Sequence, residues 1–192
     1  GKKLAAEEKK DVYLIFTALK VSGACVQLEK RVLSQDAFQS AAEEKFVLVH
    51  LDVPLEQEPG VVDPLTPNKF TAGKFGIENY PTALYLNADG HPYLSETGAL
   101  TDGPEKYAAH LLEKAGEQSG RDRALEDAGK LEGLERAKAL IAVIESAPST
   151  ASPKLYEGQL KELADLDPDD SLGFQGRYHA ETAFRELETA LR

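Results

Sequence analysis

Strand-type sequence in this chain is confined to its first half, and that confinement narrows the folds open to it. Val12-Tyr13-Leu14-Ile15-Phe16 is an unbroken run of apolar, β-branched and aromatic residues, and the run from Phe46 to Val53 is a second. Such runs read as strands buried on both faces. Thr82-Ala83-Leu84-Tyr85-Leu86 is a third. The turn signal Asn87-Ala88-Asp89-Gly90 follows it, because Asp-Gly accepts the positive φ angles of hairpin turns, so His91–Leu94 is expected to return antiparallel. Helical patterns separate the strands. Lys3–Lys9 is a short polar helix. Ser22 is a good N-cap, and after it Cys25, Leu28, Val32 and Leu33 recur at helical spacing, with Phe38, Ala41 and Ala42 extending the face. Four prolines between 54 and 67 make a loop, Lys69–Phe75 is a short helix stopped by Gly76, and Gly103-Pro104-Glu105 opens a helix through Lys114. The order helix, β, α, β, α, β, β, α predicts an α/β sandwich around a mixed sheet.

After Gly116 the strand signals stop. Arg121–Leu131, Leu134–Ser146, Lys154–Leu166 and Ser171–Leu191 read as amphipathic helices, broken at Glu132-Gly133, at 147–153 and at Asp167-Pro168. The expected organisation is an α/β domain over 1–115 and an all-α domain over 116–192. The second has about four helices in two antiparallel hairpins, faintly like a helical repeat. The stripes Leu134, Ala137, Leu140, Ile141, Ile144 and Phe174, Tyr178, Phe184, Leu187 are expected to be core.

Charge excludes several partners. The formal net charge is −11, from 33 acidic and 22 basic side chains, with the acid excess in both halves. Nucleic acid needs a basic face, and anionic membranes attract cations, so neither is expected as a partner. The longest apolar run is far shorter than the roughly 20 residues of a membrane span, so no membrane insertion is expected. The chain begins at Gly1 rather than methionine, and a removed leader is the expectation.

The chemistry-bearing residues are few. Cys25 is the single cysteine, so no internal disulfide can form. His50, His91, His110 and His179 show no metal-ligand spacing, and Asp167, Asp169 and Asp170 lack the glycine and terminal glutamate of a calcium loop. The sequence has neither a nucleophile elbow nor a phosphate-binding glycine loop. No metal and no cofactor are expected.

Three segments carry a family resemblance. Ile15-Phe16-Thr17 leads through Val21 to Ser22-Gly23-Ala24-Cys25; Phe75-Gly76-Ile77-Glu78-Asn79-Tyr80-Pro81-Thr82 follows; Asp89-Gly90 closes a hairpin. Over roughly residues 4–115 the arrangement resembles the thioredoxin superfamily, of the bacterial type that begins with a short helix. The resemblance implies a thioredoxin-like fold, a cis-proline at Pro81, and a Cys-x-x-Cys site where this chain has Ser-x-x-Cys. Ser22 stands at the nucleophilic cysteine and Val21 at the usual tryptophan. Exchange needs an attacking thiolate, which a serine hydroxyl cannot replace near neutral pH.

The expectation is therefore a domain that has lost dithiol–disulfide activity and binds a protein or peptide. Val21, Tyr80, Pro81 and Thr82 would line a groove at a sheet edge left open by the cis-proline. Two alternatives stand beside it. Cys25 could be a monothiol forming mixed disulfides with glutathione or a partner, against its reading as a buried core residue. Ser22 could serve a glutathione-transferase-like enzyme, which the Thr82-Ala83-Leu84 sequence after Pro81 does not fit. Relatives of this layout are often exported, so the resemblance implies a periplasmic or secreted location without deciding against the cytoplasm.

Overall fold

The computed structural model describes residues 1–55, 66–98, 102–148 and 153–190. Most of the proline-rich 54–67 loop, part of the 147–153 break and the final residue of the last expected helix lie outside them. The chain divides into two compact units, Gly1–Gln118 with Pro148–Leu155, and Ser119–Ala147 with Tyr156–Arg192.

The first unit is built on a four-stranded sheet. Its elements are α1 (Lys2–Glu8), β1 (Asp11–Thr17), α2 (Gly23–Leu28), α3 (Asp36–Ala42), β2 (Phe46–Asp52), α4 (Pro67–Lys74), β3 (Thr82–Leu86), β4 (Pro92–Thr97) and the start of α5 (Pro104–Ala128). The strand order is β2-β1-β3-β4. β1 and β2 are parallel, as the helical crossover between them requires, and the other pairs are antiparallel. This is the mixed α/β sandwich expected.

Alternation along β1 explains its unbroken apolar run. Tyr13 and Ile15 face a cluster with Leu28, Val32, Phe38, Phe46, Tyr85, Tyr107 and Leu111. Val12, Leu14 and Phe16 face the other cluster, with Ala5, Val47, Val53, Ala72 and Leu84. Both faces are covered, so no position in the strand can be polar without a partner.

Three element boundaries differ from the sequence reading. The helix after Ser22 is not continuous. A π-helical turn, Glu29–Leu33, follows α2, and the Ser34 N–H reaches back to the Glu29 carbonyl before α3 begins. The extra residue in that turn brings Val32 and Leu33 in together, both buried. In the hairpin only Gly90 takes a positive φ, 81°, while the Asn87 side chain accepts the His91 N–H, so β4 starts later and runs to Thr97. The helix expected to end at Lys114 runs on as α5 to Ala128. Gly116 and Gly120 lie inside it, and a helical glycine costs only about 1 kcal/mol relative to alanine. With no proline there, nothing stops the helix.

The second unit holds the end of α5, α6 (Gly133–Glu145), α7 (Glu157–Leu166) and α8 (Gln175–Ala190). α6 buries Ala137, Leu140, Val143 and Ile144, and its Arg136 donates to Glu162 of α7. The expected core stripes are only partly buried. Phe174 is buried and stacks on Tyr178 at 5.4 Å, whereas Leu134, Phe184 and Leu187 are exposed.

The connection between α7 and α8 is held by two carboxylates. Asp167 accepts from the hydroxyl and N–H of Ser171 and from the Leu172 N–H; Asp170 accepts from the Gln175 and Gly176 N–H groups at the start of α8. The Ser171 hydroxyl and the Leu172 N–H hold the Asp167 carboxyl below its ordinary range, and the Gly176 and Gln175 amides do the same for Asp170. A depressed folded value stabilises the native state above the unfolded-state value of about 3.9. That contribution is expected to fade as pH falls from there through the lower folded values. The amide resonances of Ser171, Gln175 and Gly176 followed by NMR from neutral pH into acid check it, with Asp170→Asn losing the transition at Gly176.

Candidate functional site

β1 sets the site. Its register pairs Phe16 with Thr82, so the end of β1 lies beside the start of β3. The loop from Ala18 to Ser22 and the turn from Asn79 to Pro81 thus leave the sheet at one end. The N–H groups of Val21 and Ser22 both return to the Ala18 carbonyl, which folds the loop tightly into α2.

Ser22 is the N-cap. Its backbone is extended, and its Oγ accepts the Cys25 N–H at 3.3 Å. The hydroxyl therefore satisfies one of the unpaired amides that begin any helix. Replacement by alanine is expected to cost about 1 kcal/mol, the usual worth of such a cap, as a shift in the urea midpoint at constant m-value.

Cys25 is buried at 0% exposure. Its Sγ accepts the Ala18 N–H at 3.4 Å, which turns the sulfur toward the loop backbone. Gly23 and Ala24 are exposed, and Val21 and Ser22 half-buried.

Tyr80–Pro81 is a cis peptide bond. Tyr80 is half-buried, and desolvation pushes its phenol up from the ordinary value. Pro81 and Thr82 are buried. The Thr82 hydroxyl donates to the Asn79 carbonyl at 2.7 Å and meets the Thr97 hydroxyl at 2.9 Å. The sheet edge expected here is closed on its β4 side. β3 lies between β1 and β4, and the Gly98 N–H donates to the Pro81 carbonyl at 2.9 Å. Extension of β4 to Thr97 closes that side, so Thr82 shapes the turn, and of the four expected groove residues Val21 and Tyr80 keep exposed surface.

One polar group was missed by the sequence reading. Thr17, fully buried at the end of β1, donates its hydroxyl to Asp52 at 3.0 Å and bonds His50 Nε2 at 2.8 Å; Asp52 also accepts the Leu19 N–H. Glu29, on the π turn, places Oε2 3.4 Å from His50 Nδ1. The signal was present in β2, where His50 and Asp52 interrupt an apolar run at a spacing of two and so share a face. Through Leu19 this cluster ties down the loop carrying Val21 and Ser22. Among the described residues, no group of three or more His, Cys, Asp or Glu side chains could hold a metal ion, and no helix is long and apolar enough to cross a membrane.

A family model described as a thioredoxin-like domain matches residues 2–115. The chain belongs to the thioredoxin-like family. Among solved structures it is similar to a DsbH oxidoreductase, with 16% identity over 57% of this chain and 75% of that one, at a TM-score of 0.48. It is also similar to the C-terminal domain of Neisseria meningitidis DsbD. The oxidised form gives 17% identity, a TM-score of 0.42, and coverage of 58% of this chain and 87% of that one. The reduced form gives 16%, 0.41, 58% and 88%. No curated relative matches the chain. Within this thioredoxin-like chain the Ser22-x-x-Cys25 sequence contains one sulfur, so an internal disulfide cannot close there.

Proposed function

We propose that this thioredoxin-like domain no longer performs dithiol–disulfide exchange and acts as a protein- or peptide-binding module. The observation that carries the reading is the position of the only sulfur, which has no exposed surface and points at the Ala18 N–H. A monothiol mechanism would need that sulfur at the surface as a thiolate. Val21 and Tyr80 are the proposed contact residues, with Pro81 and Thr82 beneath them setting the shape of the turn. A periplasmic or secreted location belongs to the same proposal and is supported by the family resemblance alone.

Reduction of insulin disulfides tests the loss of chemistry. The protein is expected to add nothing to the rate with dithiothreitol alone, and a rate near that of an ordinary thioredoxin overturns the reading. Amide shifts at Val21 and Tyr80 on titration with extended peptides test the binding face.

A further inference from the structure

We propose a second binding site in the first unit, distinct from the Val21–Tyr80 face: the outer edge of β2 with the pocket beside it takes an extended peptide segment carrying a basic side chain.

β2 ends the strand order, so among the described residues it pairs through one side only. The bonds from the Asp11 N–H to the Lys45 carbonyl and from the Val53 N–H to the Thr17 carbonyl set the phase of the ladder. Val47, Val49 and Leu51 turn their backbone groups to β1. Phe46, Leu48, His50 and Asp52 turn theirs outward. Asn68 Nδ2 donates to the Asp52 carbonyl at 2.7 Å, and Phe46 is buried at 1% exposure; among the described residues, no backbone group pairs with the outward N–H and C=O of Leu48 or His50 between them. Exposed edges are normally blunted by lysine, proline or a bulge. Phe46-Val47-Leu48-Val49-His50-Leu51-Asp52 has no lysine or proline, and its pairing with β1 has no register shift. Such an edge is a template for an added strand.

The side chains of Leu48 and His50 line a half-open pocket of about 160 Å³ between β2 and the helices packed on it. Ile15, Leu33 and Phe38 give it apolar walls, and Glu29 a carboxylate. Glu29 Oε2 is shielded from solvent and, among the described residues, accepts no hydrogen bond. His50 does not serve it in the neutral form. Thr17 spends its only proton on Asp52, so Nε2 donates to Thr17; Nδ1, 3.4 Å from Glu29 Oε2, then carries a lone pair in the neutral ring and a proton only in the imidazolium. A buried acceptor without a donor is costly. The space is wide enough for one long side chain with an apolar stem and a cationic head. In an added strand, the residue beside Leu48 and His50 projects on their side, toward Glu29. The net charge of −11 favours a basic partner and disfavours a second copy of this chain.

The test is NMR titration of the ¹⁵N-labelled protein with a short blocked peptide, Thr-Val-Thr-Lys-Thr-Val-Thr. Shifts are expected at Phe46, Leu48, His50 and their neighbours, with the lysine peptide binding about tenfold tighter than its glutamate counterpart, a difference of ~1.4 kcal/mol. Glu29→Gln should remove that preference, and N-methylation of alternate peptide amides should abolish binding without altering the protein. No shift up to millimolar peptide overturns the proposal, as does a lysine preference that survives Glu29→Gln. Shifts at Val21 and Tyr80 alone would overturn it while supporting the first face. A concentration-dependent dimer by sedimentation, with β2 amides protected from exchange, would overturn it by making a second copy the occupant.

Discussion

In native buffer Cys25 is expected to react with iodoacetamide on the order of a thousandfold more slowly than in the unfolded chain. The sulfur is fully buried, against a backbone N–H, on the inner side of a helix held by the Ser22 cap. Alkylation requires a thiolate that reagent can reach, and reaching this one requires α2 to detach from β1 or the unit to unfold. An opening free energy of about 4 kcal/mol, within the range of local and global unfolding, already gives a factor near a thousand. Mass spectrometry of the alkylated fraction against time, with and without urea, reads the ratio. A native rate near that of the unfolded chain would put the sulfur at the surface and bring the monothiol reading forward. Ser22→Ala is expected to raise the native rate, because it weakens the cap that keeps α2 closed.

Tyr13→Ala is expected to cost about 3–5 kcal/mol, the range for truncating a buried aromatic, and so most of a stability that for such domains lies near 5–15 kcal/mol. Tyr13 lies at the centre of its face of the sheet. Its ring meets Phe38, Phe46 and Tyr85 edge-on, with centroids 6.5, 6.2 and 5.2 Å away, and its hydroxyl bonds Tyr107 at 2.8 Å. Burial pushes its phenol well above the ordinary range, so the hydroxyl stays protonated. Tyr13→Phe keeps the ring and removes the oxygen, and the lost hydrogen bond is expected to cost about 1–3 kcal/mol. Urea unfolding followed by tyrosine fluorescence separates the two. If Tyr13→Phe costs as much as Tyr13→Ala, the hydroxyl pair rather than the ring packing holds this core.

The fold was legible because β1 is apolar throughout Val12–Phe16 and β3 throughout Ala83–Leu86, β2 nearly so, and Gly90 marks the hairpin. Those are local properties, written in consecutive residues. The site was legible in part for the same reason: Ser22 reads as a cap and Cys25 as an inward helical position from spacing alone. The α2–α3 break was not legible, since the π turn has no composition of its own and depends on what Val32 and Leu33 pack against. Nor was the continuity of α5, where Gly116 and Gly120 look like stops and the backbone simply continues.

The Thr17–His50–Asp52–Glu29 cluster draws on three elements, and no window of sequence contains it. Closure of the expected edge beside Pro81 likewise depends on how far β4 follows β3. By itself, the sequence determined the α/β class, the Ser22-x-x-Cys25 segment, the single sulfur and the acidic charge, because each is carried by residue identity or local periodicity. Only the tertiary structure decided, among the described residues, which strand stands at the end of the sheet and which side chains gather around Glu29, because both depend on the register between segments distant in the chain.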